Sequence, residues 1–179
     1  MVGTALKVWA RGACLGLIVA LGYSVPVGPG SADDSRLPMP ALLLSDGSGM
    51  PFALSRTRGN VVVLEFWSAS CPPCLNELTF LNRLQGDFPG KPLLAIAVSE
   101  DDTSMAALRT VLSRQKLTYL RPYADPGGSA AQALTLRGLP TSFVLDRHGR
   151  IVAQFEGPQQ WDRPDYEKRI AFLLNEAYP

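Results

Sequence analysis

The sequence predicts one α/β domain, built on a central mixed β-sheet with helices on both faces. Two apolar runs, residues 61–67 and 93–98, are nearly continuous, which is typical of parallel strands buried on both faces. Residues 141–145 and 151–155 are two further apolar segments around a Gly-containing turn, which predicts an antiparallel pair. The predicted order, β-α-β-α-β-α-β-β-α, requires a sheet with both parallel and antiparallel neighbours.

The remaining elements follow from periodicity and turn residues. Segments 41–44 and 52–54 flank Asp46-Gly47-Ser48-Gly49, which predicts a small N-terminal hairpin extension. Pro72 suits the first turn of a helix, because its missing N–H costs nothing there. Helices are predicted over residues 72–84, 103–115, 129–136 and 164–177, and a further strand over 119–123.

The N-terminus has the pattern of an export signal. Lys7 and Arg11 precede an apolar stretch over 13–27, and Gly30 and Ala32 suit a cleavage site. We expect export to the periplasm, with the protein either soluble or tethered to the inner membrane by residues 8–27, its only membrane contact. The predicted organisation is a signal peptide or membrane anchor at 1–32, a linker at 33–40 and the domain at 41–179.

Composition and cysteine count narrow the class of protein. The formal net charge of the 179 residues is +1, and the scattered Lys and Arg residues argue against a nucleic-acid partner. Of the three cysteines, Cys14 lies in the apolar N-terminal stretch, which leaves Cys71 and Cys74. A disulfide that closes so short a loop constrains the unfolded chain little, so this pair suits redox chemistry better than structural support.

The pair lies where a buried strand gives way to a helix. Cys71 at the helix start is exposed to the positive end of the helix dipole, which favours the reactive thiolate, so it is the predicted nucleophile. Cys74, one turn further on the core side, is the predicted resolving thiol. Because Pro72 and Pro73 have no N–H to donate, we expect a weakly stabilised thiolate, a low potential and a reductant.

Two segments of the sequence resemble the thioredoxin superfamily. They are residues 61–78 and, further downstream, Gly138-Leu139-Pro140-Thr141-Ser142-Phe143-Val144-Leu145-Asp146. More narrowly, they are similar to its exported TlpA/ResA/CcmG-type branch. The resemblance spans roughly residues 38–177 and implies a thioredoxin-like fold and a thiol–disulfide oxidoreductase.

The resemblance also implies roles for individual residues. Pro140 matches a cis-proline that faces the cysteine pair and binds the client backbone. Glu65 matches a buried acid that takes the proton of Cys74, and Glu77 matches an acid on the helix face of Cys74. The residues expected to contact the client are Leu139, Pro140, Trp67, Pro72 and Pro73.

Two positions depart from the pattern of the branch. Ser70 replaces the usual aromatic residue before the first cysteine, and Thr141 stands where members devoted to cytochrome c maturation often carry an acid. The resemblance still suggests apocytochrome c or copper-site assembly proteins as clients. A membrane thiol transporter is the expected electron donor, and the protein is expected to be a monomer without a cofactor.

Two other functions remain open at this point. A thiol peroxidase usually has Thr three residues before its reactive cysteine, and Ser68 holds that position. A copper or other metal chaperone needs ligands beyond the pair, and the rest of the mature chain offers only His148, in a predicted turn. We therefore predict no bound metal.

Overall fold

The computed structural model describes residues 36–178. The predicted signal or anchor segment, 1–32, lies outside the described residues. The strands are β1 (Leu43–Ser45), β2 (Pro51–Ala53), β3 (Val61–Trp67), β4 (Leu93–Ser99), β5 (Pro122–Ala124), β6 (Thr141–Leu145) and β7 (Ile151–Glu156). The α-helices are α1 (Pro72–Asp87), α2 (Met105–Arg114), α3 (Ser129–Ala133) and α4 (Pro164–Leu174), and short 3-10 helices cover Leu54–Thr57 and Pro126–Gly128.

These strands form one mixed sheet in the order β2-β1-β5-β4-β3-β6-β7. Strands β3, β4 and β5 are parallel, whereas β6 runs antiparallel to β3 and β7 antiparallel to β6. The β1–β2 hairpin adds to the other edge of the sheet through β5. The predicted mixed sheet and hairpin extension are both confirmed.

Strand β3 is the central strand, and all seven of its residues are buried. On one face, Val61, Val63 and Trp67 pack with residues of α1, α2 and α4. Residues 62, 64 and 66 pack on the other face with β1 and α3. Burial on both faces explains why this strand reads as an apolar run rather than an alternating pattern.

Several predicted boundaries differ from the observed ones, and contacts explain two of the differences. Helix α1 continues to Asp87, because the Gln85 amide bonds both Leu93 O and Ala95 N and so ties the last turn to β4. The third parallel strand begins only at Pro122. Tyr119, expected within it, instead donates its backbone N–H to Asn82 Oδ1 on α1.

The segment before β1 lies along the domain. Leu37 O accepts from Ile151 N, and Met39 N donates to Gly149 O. Arg36 pairs with Glu176 at 2.9 Å. Within residues 36–178, no helix combines the length and apolar character needed to cross a bilayer.

We expect Leu81→Ala to destabilise the protein by about 2–5 kcal/mol, because this side chain is fully buried between α1 and the sheet. The matched control is Leu43→Ala, at a side chain that is 59% exposed. It should cost well under half as much. Urea denaturation measures both free energies of unfolding, and equal losses would contradict the assigned core.

Candidate active site

The cysteine pair sits at the carboxyl end of the central strand. The loop of residues 68–70 leads from β3 to Cys71, which caps the N-terminus of α1. Cys71 and Cys74 form a disulfide with their Cα atoms 5.3 Å apart. Cys71 is partly exposed and Cys74 is fully buried, which is the arrangement that the predicted roles of nucleophile and resolving thiol require.

Few backbone donors face the Cys71 sulfur. Pro72 and Pro73 occupy the first two positions of α1 and carry no N–H. The Cys74 N–H donates to Cys71 Sγ at 3.2 Å. The helix start thus supplies one N–H to the sulfur, where non-proline residues would supply more.

Glu65 lies beneath this site, on the face of β3 that packs against α1. It is fully buried, and neither carboxyl oxygen has a hydrogen-bond partner among the described residues. Burial raises the pKa of Glu65 well above its ordinary value, and the neighbouring charge of Glu77 raises it further. Both causes favour the protonated form of Glu65 while the disulfide is formed.

Glu77 is also fully buried, but its carboxylate is surrounded by donors. Oε1 accepts from Ser142 Oγ at 2.9 Å and from Trp161 Nε1 at 2.7 Å, and Oε2 accepts from Gln159 N at 2.9 Å. Burial raises the pKa of Glu77, and these three hydrogen bonds oppose that rise. The two buried acids thus have opposite surroundings.

The Leu139–Pro140 peptide bond is cis, as the resemblance implied. Leu139 is half-buried, while Pro72 and Pro73 are exposed beside Cys71. Trp67, also expected to contact the client, has no exposed surface and packs in the core instead. Any effect of Trp67 on a client would therefore pass through the shape of the site above it.

Sequence reasoning missed the acids that follow β4. Asp101 accepts from Ala69 N at 2.7 Å and from Ser68 Oγ at 2.6 Å, in the loop before Cys71. Burial, together with Asp125 and Asp101, raises the pKa of Glu100 to about 7. A signal was available, because the carboxyl ends of adjacent parallel strands meet at one edge of a sheet.

The second missed feature concerns the tryptophan after β7. Trp161 was expected only to pack, and it does pack against Phe155 and Tyr166. Its indole N–H to Glu77 adds a polar role that a lone Trp in a loop does not signal.

His148 lies in the turn before β7 against Tyr178. Across residues 36–178, no group of three or more His, Cys, Asp or Glu side chains is placed to hold a metal ion.

A redox-active disulfide at the start of the helix after the central strand, with a cis-proline before the adjacent antiparallel strand, defines a thioredoxin-like class of site. The Redoxin family profile matches residues 33–170. The chain therefore belongs to the Redoxin family, and it is a thiol–disulfide oxidoreductase of the thioredoxin superfamily.

Its relatives agree with that class. The chain is 29% identical over 133 residues to the thiol-disulfide oxidoreductase ResA of Bacillus thuringiensis subsp. konkukian, covering 73% of this chain and 75% of that protein. It is 30% identical over 166 residues to ResA of Geobacillus kaustophilus, covering 86% and 88%. These matches confirm the predicted enzyme class and its ResA/CcmG-like branch.

Solved structures agree as well. A candidate thiol:disulfide interchange protein DsbE from Chlorobium tepidum superposes with a TM-score of 0.69 at 27% identity, over 79% of this chain and 99% of that one. StoA from Bacillus subtilis superposes with a TM-score of 0.58 at 20% identity, over 75% and 96%. The second match supports the fold alone.

Replacing the unpartnered acid should change how stability depends on pH. Folded protein keeps the Glu65 proton at pH values where the unfolded chain has lost it, so stability falls as pH rises above the ordinary Glu pKa of 4.5 toward the raised one. Glu65→Gln removes the titrating group and with it this loss of stability as pH rises. In urea denaturation of the oxidised protein from pH 5 to 8, its stability relative to the wild type should rise by up to about 1.4 kcal/mol per pH unit.

The control for this measurement is Glu156→Gln, at an exposed glutamate on β7. Its stability relative to the wild type should stay nearly constant across the same pH range. A constant difference for Glu65→Gln as well would mean that Glu65 does not hold a proton in the folded protein.

Proposed function

We propose that this oxidoreductase works as a reductant of disulfides in selected exported proteins. The observation that carries the proposal is the small number of N–H donors at the start of α1. Pro72 and Pro73 have none, and in the first turn it is the Cys74 N–H that reaches Cys71 Sγ. A thiolate with few donors is poorly stabilised, so the reduced dithiol gives up its electrons readily.

The catalytic cycle follows from the different exposure of the two sulfurs. The Cys71 thiolate attacks a client disulfide, forms a mixed disulfide and releases one client thiolate, which takes up a proton. Cys74 then loses its proton and attacks Cys71 Sγ, which releases the second client thiol and closes the Cys71–Cys74 disulfide. Two electrons pass to the client in total.

Glu65 suits the proton step of this cycle. Because burial raises the pKa of Glu65 toward the range of a thiol, its carboxyl is suited to accept the proton of Cys74 as the mixed disulfide resolves. Burial also favours the protonated carboxyl that this transfer would leave in the disulfide form. When the disulfide is reduced again, Glu65 returns the proton to Cys74.

The client is held at the rim of the disulfide. Pro72 and Pro73 are exposed on one side, and Leu139 precedes the cis-proline on the other. We propose that an extended client segment lies along the half-buried Leu139, with the buried Pro140 shaping the backbone beside it, which places the client disulfide against Cys71. Apocytochrome c and copper-site assembly proteins are the proposed clients.

The cellular setting rests on the N-terminal sequence pattern. The basic and apolar residues before position 33 support export to the periplasm, as a soluble protein or one tethered by residues 8–27. There the enzyme would act as a monomer and receive electrons from a membrane thiol transporter.

The direction of the reaction is tested by the reduction potential of the Cys71/Cys74 couple. Equilibration of residues 36–179 with glutathione or dithiothreitol buffers should give a potential below about −200 mV, in the range of reducing dithiols. Replacing both prolines by donor residues, as in Pro72→Gly with Pro73→His, should raise it. A wild-type potential near about −120 mV, typical of strong oxidants, would exclude the reductant role.

The roles of the two thiols are tested by trapping. Cys74→Ala should accumulate mixed disulfides through Cys71, because the resolving thiol is missing. Cys71→Ala should trap almost nothing and reduce no insulin, because Cys74 is buried. Non-reducing gels and mass spectrometry identify the linkage and the client, and capture through Cys74 would reverse the assigned roles.

The same preparations separate the two alternatives. A thiol peroxidase would consume hydrogen peroxide through Cys71 far faster than it reduces insulin. A metal chaperone would bind copper stoichiometrically and fail to reduce insulin. The proposed reductase gives insulin reduction that is lost in Cys71→Ala.

A further inference from the structure

Asp101, just after β4, is bound to the loop that precedes Cys71. Its Oδ1 accepts from Ser68 Oγ at 2.6 Å, and its Oδ2 accepts from Ala69 N at 2.7 Å. Ser99 Oγ, at the end of β4, also donates to Oδ2 at 2.9 Å. Both carboxylate oxygens are therefore committed to fixing the loop against the end of the sheet.

This network determines where the Ser70 hydroxyl points. Ser68 Oγ and Ser70 Oγ are 2.8 Å apart. A hydroxyl has one hydrogen, and that of Ser68 is donated to Asp101, so the hydrogen between the two serines comes from Ser70. Ser70 also donates its backbone N–H to Ser68 Oγ at 3.1 Å. Asp101 thus draws both donors of Ser70 toward Ser68.

The result is that the N–H groups of residues 69–71 are turned away from the reactive sulfur. The N–H groups of residues 69 and 70 bond Asp101 and Ser68, and Cys71 N bonds Ser68 O at 3.1 Å. With two prolines following, these three N–H groups are not available to stabilise a Cys71 thiolate from the loop side.

We infer that Asp101 is a positioning residue that keeps the couple reducing. It holds the hydroxyl and amide donors of residues 68–70 away from Cys71, and it adds a negative charge behind the loop that opposes a second negative charge on Cys71. The inference deepens the proposed reductant function and rests on it for its physiological meaning.

Other acids lie near enough to matter for the test. Glu100 and Asp125 lie with Asp101 at the edge of the sheet where β4 and β5 end. Glu65 and Glu77 lie beneath the two cysteines, on the side of the sheet that packs against α1. Because Asp101 contributes to the raised pKa of Glu100, its removal lets Glu100 ionise at lower pH. The key variant is therefore made in both the wild-type and the Glu100→Gln background.

The experiment compares Asp101→Asn with Asp102→Asn, which removes the same charge at the adjacent, exposed position. The thiolate absorbance of reduced protein reports the pKa of Cys71, with Cys14→Ala and Cys74→Ala added to isolate that thiol. Glutathione equilibration of the two-cysteine forms reports the potential. Asp101→Asn should raise the thiolate-to-thiol ratio of Cys71 at fixed pH by roughly threefold or more, and it should shift the redox equilibrium toward the dithiol by a similar factor.

The control variant, Asp102→Asn, should shift the thiolate-to-thiol ratio of Cys71 and the redox equilibrium much less. Ser68→Ala keeps the charge but releases Ser70, so it should shift both in the same direction by a smaller factor, and it decides the matter if Asp101→Asn does not fold. An unchanged or raised pKa of Cys71 in both variants, or equal shifts in Asp102→Asn, would overturn the inference. An oxidising wild-type potential would instead refute the reductant role while leaving the effect of Asp101 measurable.

Discussion

The arrangement of the active site depends on the buried carboxylate of Glu77. A carboxylate removed from water costs several kcal/mol unless donors replace its hydration. Three donors do so here, from Ser142 on β6 and from Gln159 and Trp161 beyond β7. Since Glu77 lies one turn after Cys74 and Ser142 lies two residues after the cis-proline, this one group fixes the helix carrying the disulfide against the strand that presents Pro140.

The carboxylate of Glu77 also affects the protonation of the neighbouring Glu65. Three hydrogen bonds favour the charged form of Glu77, whereas none of the residues 36–178 hydrogen-bonds the carboxyl of Glu65. Two buried acids that interact do not both ionise easily, so the first proton of the pair goes to Glu65. One acid therefore organises the structure, and the other is the one for which we propose proton exchange with Cys74.

Local patterns predicted the elements whose burial is uniform, and missed contacts between distant residues. Strands Val61–Trp67 and Thr141–Leu145 have the predicted boundaries, because apolar runs and turn residues mark both ends. The helix predicted over 129–136 ends at Ala133, a boundary that no cap residue announces. The bonds of Asp101 to Ser68 and of Trp161 to Glu77 join residues 33 and 84 positions apart, and no local pattern specifies such partners.

The loop before Cys71 connects this geometry to the choice of client. Where the family usually carries an aromatic residue, Ser70 offers a small side chain whose hydroxyl is already donated to Ser68. Since the N–H groups of residues 69–71 are also bonded within the protein, these residues have no backbone N–H left to donate to a client. We expect recognition on this side of the disulfide to depend on shape and on the exposed rings of Pro72 and Pro73, so that a client is selected mainly by whether its disulfide can approach Cys71.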